Sequence, residues 1–366
     1  MSRPVAAVSA LSGFDEEKHV RVAGIARALP SHYYDQATLH AHLAQQWAPH
    51  FHNPARFEQL HRNVCVAGRH LALPIDAYES LSDFGEANDE WIRCGTELGE
   101  AAVRRALERA GLQPLDIDQI FFTSITGISA PSLDVRLANR MKMRRDVKRV
   151  PIFGLGCVAG AAGLARAADY LRGFPDEIVV LLSVELCSLT LQRADVSVAN
   201  LIASGLFGDG AAAVVLAGAN RQAAGPQIIG SRSVLVPDSE SLLGWRVRGS
   251  GFQVVIAGEI PAAVKDIRKD VDEFLAAHEL EFADIDRYIV HPGGPKILEA
   301  FEQTLELPVN ALAPSWKSLR EAGNVSSASV LMILEDTMAQ PVPRGSYGLV
   351  IAVGPGFHCE LVLIRW

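Results

Sequence analysis

The sequence predicts an α/β protein made of two related halves, near residues 1–225 and 226–366, and three observations carry that expectation. DIDQIFFTS at 116–124 returns as DIDRYIVHP at 284–292, each behind a helical pattern, 168 residues on. Cys157, between an apolar run and a small-residue helix, is matched 167 residues on by Asn324, at the start of a similar helix. Short β-rich runs alternate with helical patterns, as in α/β proteins whose strands are buried on both faces. Two independent pairs at nearly one spacing point to an internal duplication.

The elements follow in order. EAAVRRALERAGL (100–112) reads as a helix leading into the strand IFFTSI (120–125). PIFGLGCVAGAAGLARAADYL (151–171) reads as strand, turn and helix, and the helix is crowded with small residues: Ala159, Gly160, Ala161, Ala162, Gly163 and Ala165. Each interior glycine costs a helix roughly 1 kcal/mol against alanine, which close packing against a neighbour would offset. EIVVLLSVEL (177–186) and AAAVVLA (211–217) are strands, and GANRQAAG (218–225) is a linker ending at the boundary, Gly225 and Pro226. In the second half AAVKDIRKDVDEFLAAHEL (262–280) is helical, RYIVHP and GLVIAV are strands, and EAGNVSSASVLMILEDTM (321–338) is a second small-residue helix. The two small-residue helices are expected side by side, buried about the axis relating the halves. LFGDGAAAVVLA (206–217) and VGPGFHCELVLI (353–364) form a third, weaker pair with a different spacing.

Composition narrows the function. Of 366 residues, 49% are hydrophobic and 21% charged, which excludes a disordered chain. The net charge of −8 argues against nucleic acid as the main partner. No apolar run reaches the roughly 18–20 residues of a membrane span, and MSRPVAAVSALSGFDEEKHV does not read as a secretory leader. The five cysteines, 65, 94, 157, 187 and 359, form no CxxC pair, so neither a disulfide framework nor a zinc site is expected, and a reduced cytoplasmic protein is.

Three residues carry candidate chemistry. Cys157 stands where a strand turns into a helix, and a helix N-terminus lowers a thiol pKa and favours the nucleophilic thiolate. The bland alternative, a small buried cysteine, is preferred for Cys65, Cys94 and Cys359. His291 ends a strand before the rigid turn Pro292, Gly293, Gly294, Pro295, and reads equally as a structural ring or a site residue. Asn324 is either a helix N-cap or, by the repeat, the counterpart of Cys157. GLGCVAG lacks the spacing of a dinucleotide loop. His40, His42, His50, His52 and His61 have no zinc-type spacing and read as a solvated helical segment. Asp15, Glu16 and Glu17 read as surface, and Asp209 as the holder of a turn.

GLGCVAG, GLFGDGAAAVV, HPGGPKIL, GNVSSASV and GPGFHCE together, in this order, resemble the type III polyketide synthases, the chalcone-synthase-like branch of the thiolase superfamily. The resemblance implies a five-layered αβαβα thiolase fold from two duplicated halves, a homodimer, and a catalytic set of Cys157, His291 and Asn324. It implies acyl-CoA and malonyl-CoA as substrates, with no metal and no redox cofactor. In the family's scheme a Cys157 thiolate, paired with His291, takes the starter acyl group. His291 and Asn324 then stabilise the enolate left by decarboxylation of malonyl-CoA, which attacks the acyl-enzyme. Phe207 matches an aromatic between the CoA tunnel and the cavity. Ile125, Thr126, Cys187, Thr190, Val254 and Ser326 match cavity positions, and Arg56 and Arg62 stand nearest the CoA-binding basic residues. Ala130 matches a residue that reaches the partner's cavity.

Some positions depart from the family pattern. Val254 stands where Phe is frequent, and Phe252 and Trp245 are near enough in sequence to fill the gap. Gln59 and Asn63 replace two basic residues. SVELCSLTL and GWRVRGSGF are similar to the bacterial branch that makes alkylpyrones and alkylresorcinols. The expected activity is therefore decarboxylative condensation of an aliphatic, medium- or long-chain acyl-CoA with malonyl-CoA, giving a pyrone or resorcinol-type product. The alternatives are a priming-type ketoacyl carrier-protein synthase, a non-catalytic thiolase-fold partner subunit, and a cysteine hydrolase.

Overall fold

The computed structural model describes residues 19–47 and 53–366. Asp15, Glu16, Glu17, His50, His52 and most of the N-terminal stretch considered for a leader lie outside them. Nine strands form one sheet whose order reflects the duplication. The first half contributes, from the outside in, Lys148–Ile152, Gln119–Thr123, Ile178–Leu186, Asp209–Ala217 and Arg21–Ala28. The second contributes Ile285–Val290, Tyr347–Gly354, His358–Arg365 and Gln227–Leu235 in the mirrored order. Only the outermost pairings, of Gln119–Thr123 with its two neighbours and of Ile285–Val290 with Tyr347–Gly354, are parallel. The halves meet where Arg21 pairs with Gln227. Strands Asp209–Ala217 and His358–Arg365 hold equivalent places, so the weak third repeat corresponds to equivalent strands.

The central strands are apolar without alternation because both faces are covered. Along Ile178–Leu186, Val179 and Leu181 turn into a central cluster, while Ile178, Val180, Leu182 and Val184 turn into an outer one. The central cluster is built on helices Ala159–Gly173 and Ser327–Met338, which pack on each other and on strands of both halves. Helix Phe84–Ala110 covers the outer face of the first half. Helices Arg268–Ala276 and Pro295–Thr304 lie in the outer cluster of the second. The two halves of the sheet flank the central helix pair, so the layers run helix, half-sheet, helix, half-sheet, helix, the five-layered arrangement expected. Small residues permit the middle layer: a Cβ on Gly160 would lie 2.2 Å from the Ser327 carbonyl oxygen.

Several local expectations need correction. The pattern at 262–280 is broken into the turns Ile260–Ala263 and Val264–Ile267 and the helix Arg268–Ala276, although buried Ile260, Val264, Ile267, Val271 and Phe274 keep one apolar stripe through them. His61 is buried rather than solvated: its ring packs 4.3 Å from Phe57 and 5.2 Å from His40, and Nε2 lies 3.1 Å from Ser204 Oγ. Cys65 is exposed, in a left-handed backbone conformation, whereas Cys94 and Cys359 are buried. Asp209 is a buried strand residue whose carboxylate accepts from Ala72 N at 2.6 Å, Ser188 N at 2.8 Å and Ser188 Oγ. Among the described residues, no helix is long and apolar enough to cross a membrane.

Candidate active site

Two positive-φ glycines, Gly154 and Gly156, turn the chain out of strand Lys148–Ile152. Cys157 lies in the tight turn Gly156–Val158, just before helix Ala159–Gly173. Gly156 is required there, because a Cβ would meet the Pro355 ring at 2.7 Å. The Cys157 thiol donates to Ser326 Oγ at 3.5 Å. Burial pushes that thiol up to about 12, assisted by the charge of Glu185, while hydrogen bonding with Ser326 and Asn324 acts the other way. The sequence expectation of a lowered thiol pKa is thus reversed, because desolvation outweighs one helix terminus.

Asn324 is not the N-cap. Helix Ser327–Met338 begins three residues later, and Ser326, with φ of 46°, precedes it. Asn324 is pinned by a parallel bridge to Phe207, with Asn324 N donating to Leu206 O at 2.9 Å and Gly208 N to Asn324 O at 3.0 Å. Its Oδ1 accepts from Ser326 N at 2.8 Å, and Nδ2 donates to Gly293 O at 3.3 Å.

His291 follows strand Ile285–Val290 and donates its backbone N–H to Ile351 O at 2.8 Å. Its ring is buried, and neither nitrogen has a hydrogen-bond partner among the described residues. Burial holds the imidazole down at about 3, so it is neutral. Burial opposes a lone charge on either the half-buried thiol or the enclosed imidazole, so the ion pair that the resemblance implies requires both charges together.

The three side chains line one cavity of about 350 Å³, together with Phe207. Its outer wall includes Leu60, Asn63 and Lys296. A second, narrow cavity of about 30 Å³ is lined by Cys157, Ile125, Thr126, Cys187, Val254 and Ser326. A third, of about 80 Å³, shares Cys187, Phe207 and Val254 and adds Thr190. Every predicted cavity residue therefore lines one of three adjoining spaces, with Cys157 common to the first two. Arg56 and Arg62 line none of them; both are exposed on helix Pro54–Asn63, and Arg62 pairs with Glu58 at 3.4 Å.

Sequence reasoning missed or undervalued five contributors. Lys296 follows HPGGP directly, so its position was signalled by the motif. Trp245, considered only as a filler, pairs with Val254 across a hairpin and lines both inner cavities. Arg69 and Tyr78 line the third cavity with no local pattern to mark them. Buried Glu185 ties the inner wall together, accepting from Thr126 Oγ1 at 2.9 Å, Ile125 N at 3.1 Å, Ser124 Oγ at 3.2 Å and Ser327 Oγ. Among the described residues no His, Cys, Asp or Glu group is arranged to hold a metal ion.

The sequence model of the chalcone and stilbene synthases matches in two parts, the N-terminal domain over residues 16–220 and the C-terminal domain over 227–366. A 1,3,6,8-tetrahydroxynaphthalene synthase of Streptomyces peucetius subsp. caesius is 53% identical over 96% of this chain and 94% of its own length. A phloroglucinol synthase of Pseudomonas fluorescens is 34% identical over 92% of this chain and 96% of its own. Among solved structures, the 1,3,6,8-tetrahydroxynaphthalene synthase of Streptomyces coelicolor A3(2) superposes with a TM-score of 0.89 at 31% identity, covering 94% of this chain and 99% of that one.

Proposed function

The chain belongs to the chalcone and stilbene synthase family, the type III polyketide synthases, and on that premise we propose how its residues carry out the family's chemistry. It is a CoA-dependent condensing acyltransferase acting on malonyl-CoA. The observation that carries the assignment of roles is the convergence of Cys157, His291 and Asn324 on one cavity that meets a narrower one at Cys157. CoA thioesters enter the larger space, past Asn63 and Lys296, whose ammonium suits a phosphate. Cys157 passes its proton to His291 as it attacks the starter thioester. The two charges arise together and offset each other, which burial denies to either alone. The proton leaves with the CoA thiol, and His291 is neutral again. His291 and Asn324 Nδ2 then donate to the thioester oxygen of malonyl-CoA as loss of CO2 puts charge there. The carbanion attacks the Cys157 thioester, releasing the thiolate for the next round.

We propose a starter drawn from malonyl-CoA itself and a hydroxylated aromatic product. The space narrows to about 30 Å³ beside Cys157 and about 80 Å³ beyond it, and the latter shares Tyr78, Ser188, Thr190 and Phe252 with a further space of about 640 Å³, so the reading rests on the relatives' products and not on volume. A tetrahydroxynaphthalene, the product named for the relative at 53% identity, holds ten carbons, five two-carbon units, with none left for an alkyl starter. The second reading is an aliphatic acyl-CoA starter and a pyrone or resorcinol-type product. It is favoured by Val254 in place of a ring and by the apolar Cys187 wall. Incubation with malonyl-CoA alone, then with an acyl-CoA ladder, separates them by product mass. Malonyl-CoA alone should suffice, and octanoyl-CoA should not raise the rate twofold. Under the second reading the rate climbs with starter length, about 0.8 kcal/mol per methylene, and Val254→Phe removes the long starters.

A homodimer is part of the same proposal. Ala130 and Ile128 are exposed, as are Val150 and Phe153 along the edge strand Lys148–Ile152. Sedimentation should give about twice 39.5 kDa; a fully active monomer contradicts it. The five free cysteines fit a reducing cytoplasm, which cell fractionation checks.

A further inference from the structure

The third cavity holds a charged side chain with idle donors. Arg69, in the short strand Gly68–Leu71, is 2% exposed. Its Nη2 donates to Ser204 O at 2.6 Å, while Nε and Nη1 have no hydrogen-bond partner among the described residues. Burial lowers the guanidinium to about 10, which leaves it charged at neutral pH, and Asp209 is the carboxylate acting on it. Asp209 does not satisfy those donors: its oxygens accept from Ala72 N, Ser188 N and Ser188 Oγ instead. Idle donors on a buried cation are costly unless something entering the site meets them. Arg69 lines the same cavity as Cys187, Phe207 and Val254, the residues through which that cavity adjoins the Cys157 pocket. Tyr78 lines it too, its hydroxyl 2.5 Å from Ser188 Oγ.

We infer that Arg69 is a specificity-determining residue that receives the oxygens at the distal end of the growing chain, with Nε and Nη1 as the donors. The inference rests on the malonyl-built chain proposed above and deepens it. A poly-β-keto chain carries an oxygen on every second carbon, so two donors on one guanidinium meet two of its oxygens. A β-diketone also gives up a proton readily, and a cation beside it favours the enolate. An alkyl tail offers neither oxygen nor charge and leaves the cation unsatisfied. Arg69 thereby selects for oxygenated chains and holds them for further rounds of extension.

The test reads chain length and starter preference. Arg69→Lys and Arg69→Gln are incubated with malonyl-CoA, and the ratio of longer products to triketide is measured beside the unfolding midpoint. That ratio should fall at least tenfold in Gln and less in Lys. On the wild-type enzyme, a series of ω-carboxyacyl-CoA starters is compared with alkyl acyl-CoA starters of equal length. At one length or more, the carboxylate-ended starter should be preferred at least tenfold. Preference for the alkyl partner at every length, or folded variants whose product ratio stays within twofold, overturns the role of Arg69 alone. A wild-type enzyme that releases no CO2 from malonyl-CoA overturns the functional reading, and the inference with it.

Discussion

Cys157→Ala should abolish chain extension, lowering condensation by roughly 10⁴-fold or more. The acyl group has no other carrier in the site. Cys187, the nearest alternative along the cavity wall, has a thiol that burial and the charges of Glu185 and Asp209 hold well above the usual range. Malonyl-CoA decarboxylation should persist in part, because His291 and Asn324 still face the cavity. The decisive measurement is acylation of the protein by radiolabelled acyl-CoA, followed by product mass. A Cys157→Ala protein that makes polyketide at the wild-type rate would end the assignment.

Asn324→Ala should slow malonyl-CoA decarboxylation by roughly 10²–10³-fold, the loss of about 3–4 kcal/mol of enolate stabilisation, while Cys157 still accepts an acyl group. Asn324 also has a positioning duty, since its Oδ1 accepts from Ser326 N. Asn324→Asp separates the two duties. It keeps that acceptor but replaces the Nδ2 donor with a negative oxygen beside the developing enolate, so decarboxylation should fall at least as far as in Ala. Release of CO2 at the wild-type rate from the Asp variant would exclude Asn324 as a donor and leave it a loop anchor.

The chemistry-bearing residues were legible because each sits at the end of an element that local pattern reveals. Cys157 follows an apolar run and opens a small-residue helix. His291 closes a strand before a rigid turn. Asn324 precedes the helix that repeats the first. The duplication turned three ambiguous residues into one locus, and the strand order of the sheet mirrors that repeat. The helix carrying the expected CoA-binding residues was less legible. Arg56 and Arg62 share a helix with Leu60 and Asn63, yet only the latter two line the cavity. A helix presents its residues to different sides at 3.6 residues per turn, and sequence spacing alone does not say which side meets the tunnel.

The sequence by itself determined the α/β class, the two related halves and the buried pair of small-residue helices, and it singled out Cys157, His291 and Asn324 as the candidates that the fold brings to one cavity. These follow from short-range periodicity and from a repeat, both written along the chain. Only the tertiary structure decided the walls and the charges. Arg69 and Tyr78 reach the third cavity from a distant segment, so no local pattern marks them. The Cys157 thiol stands high and the His291 imidazole low because the surrounding layers half-bury the thiol and enclose the ring. The free energy of a charge depends on everything packed within several ångströms of it, and that surrounding exists only once the chain has folded.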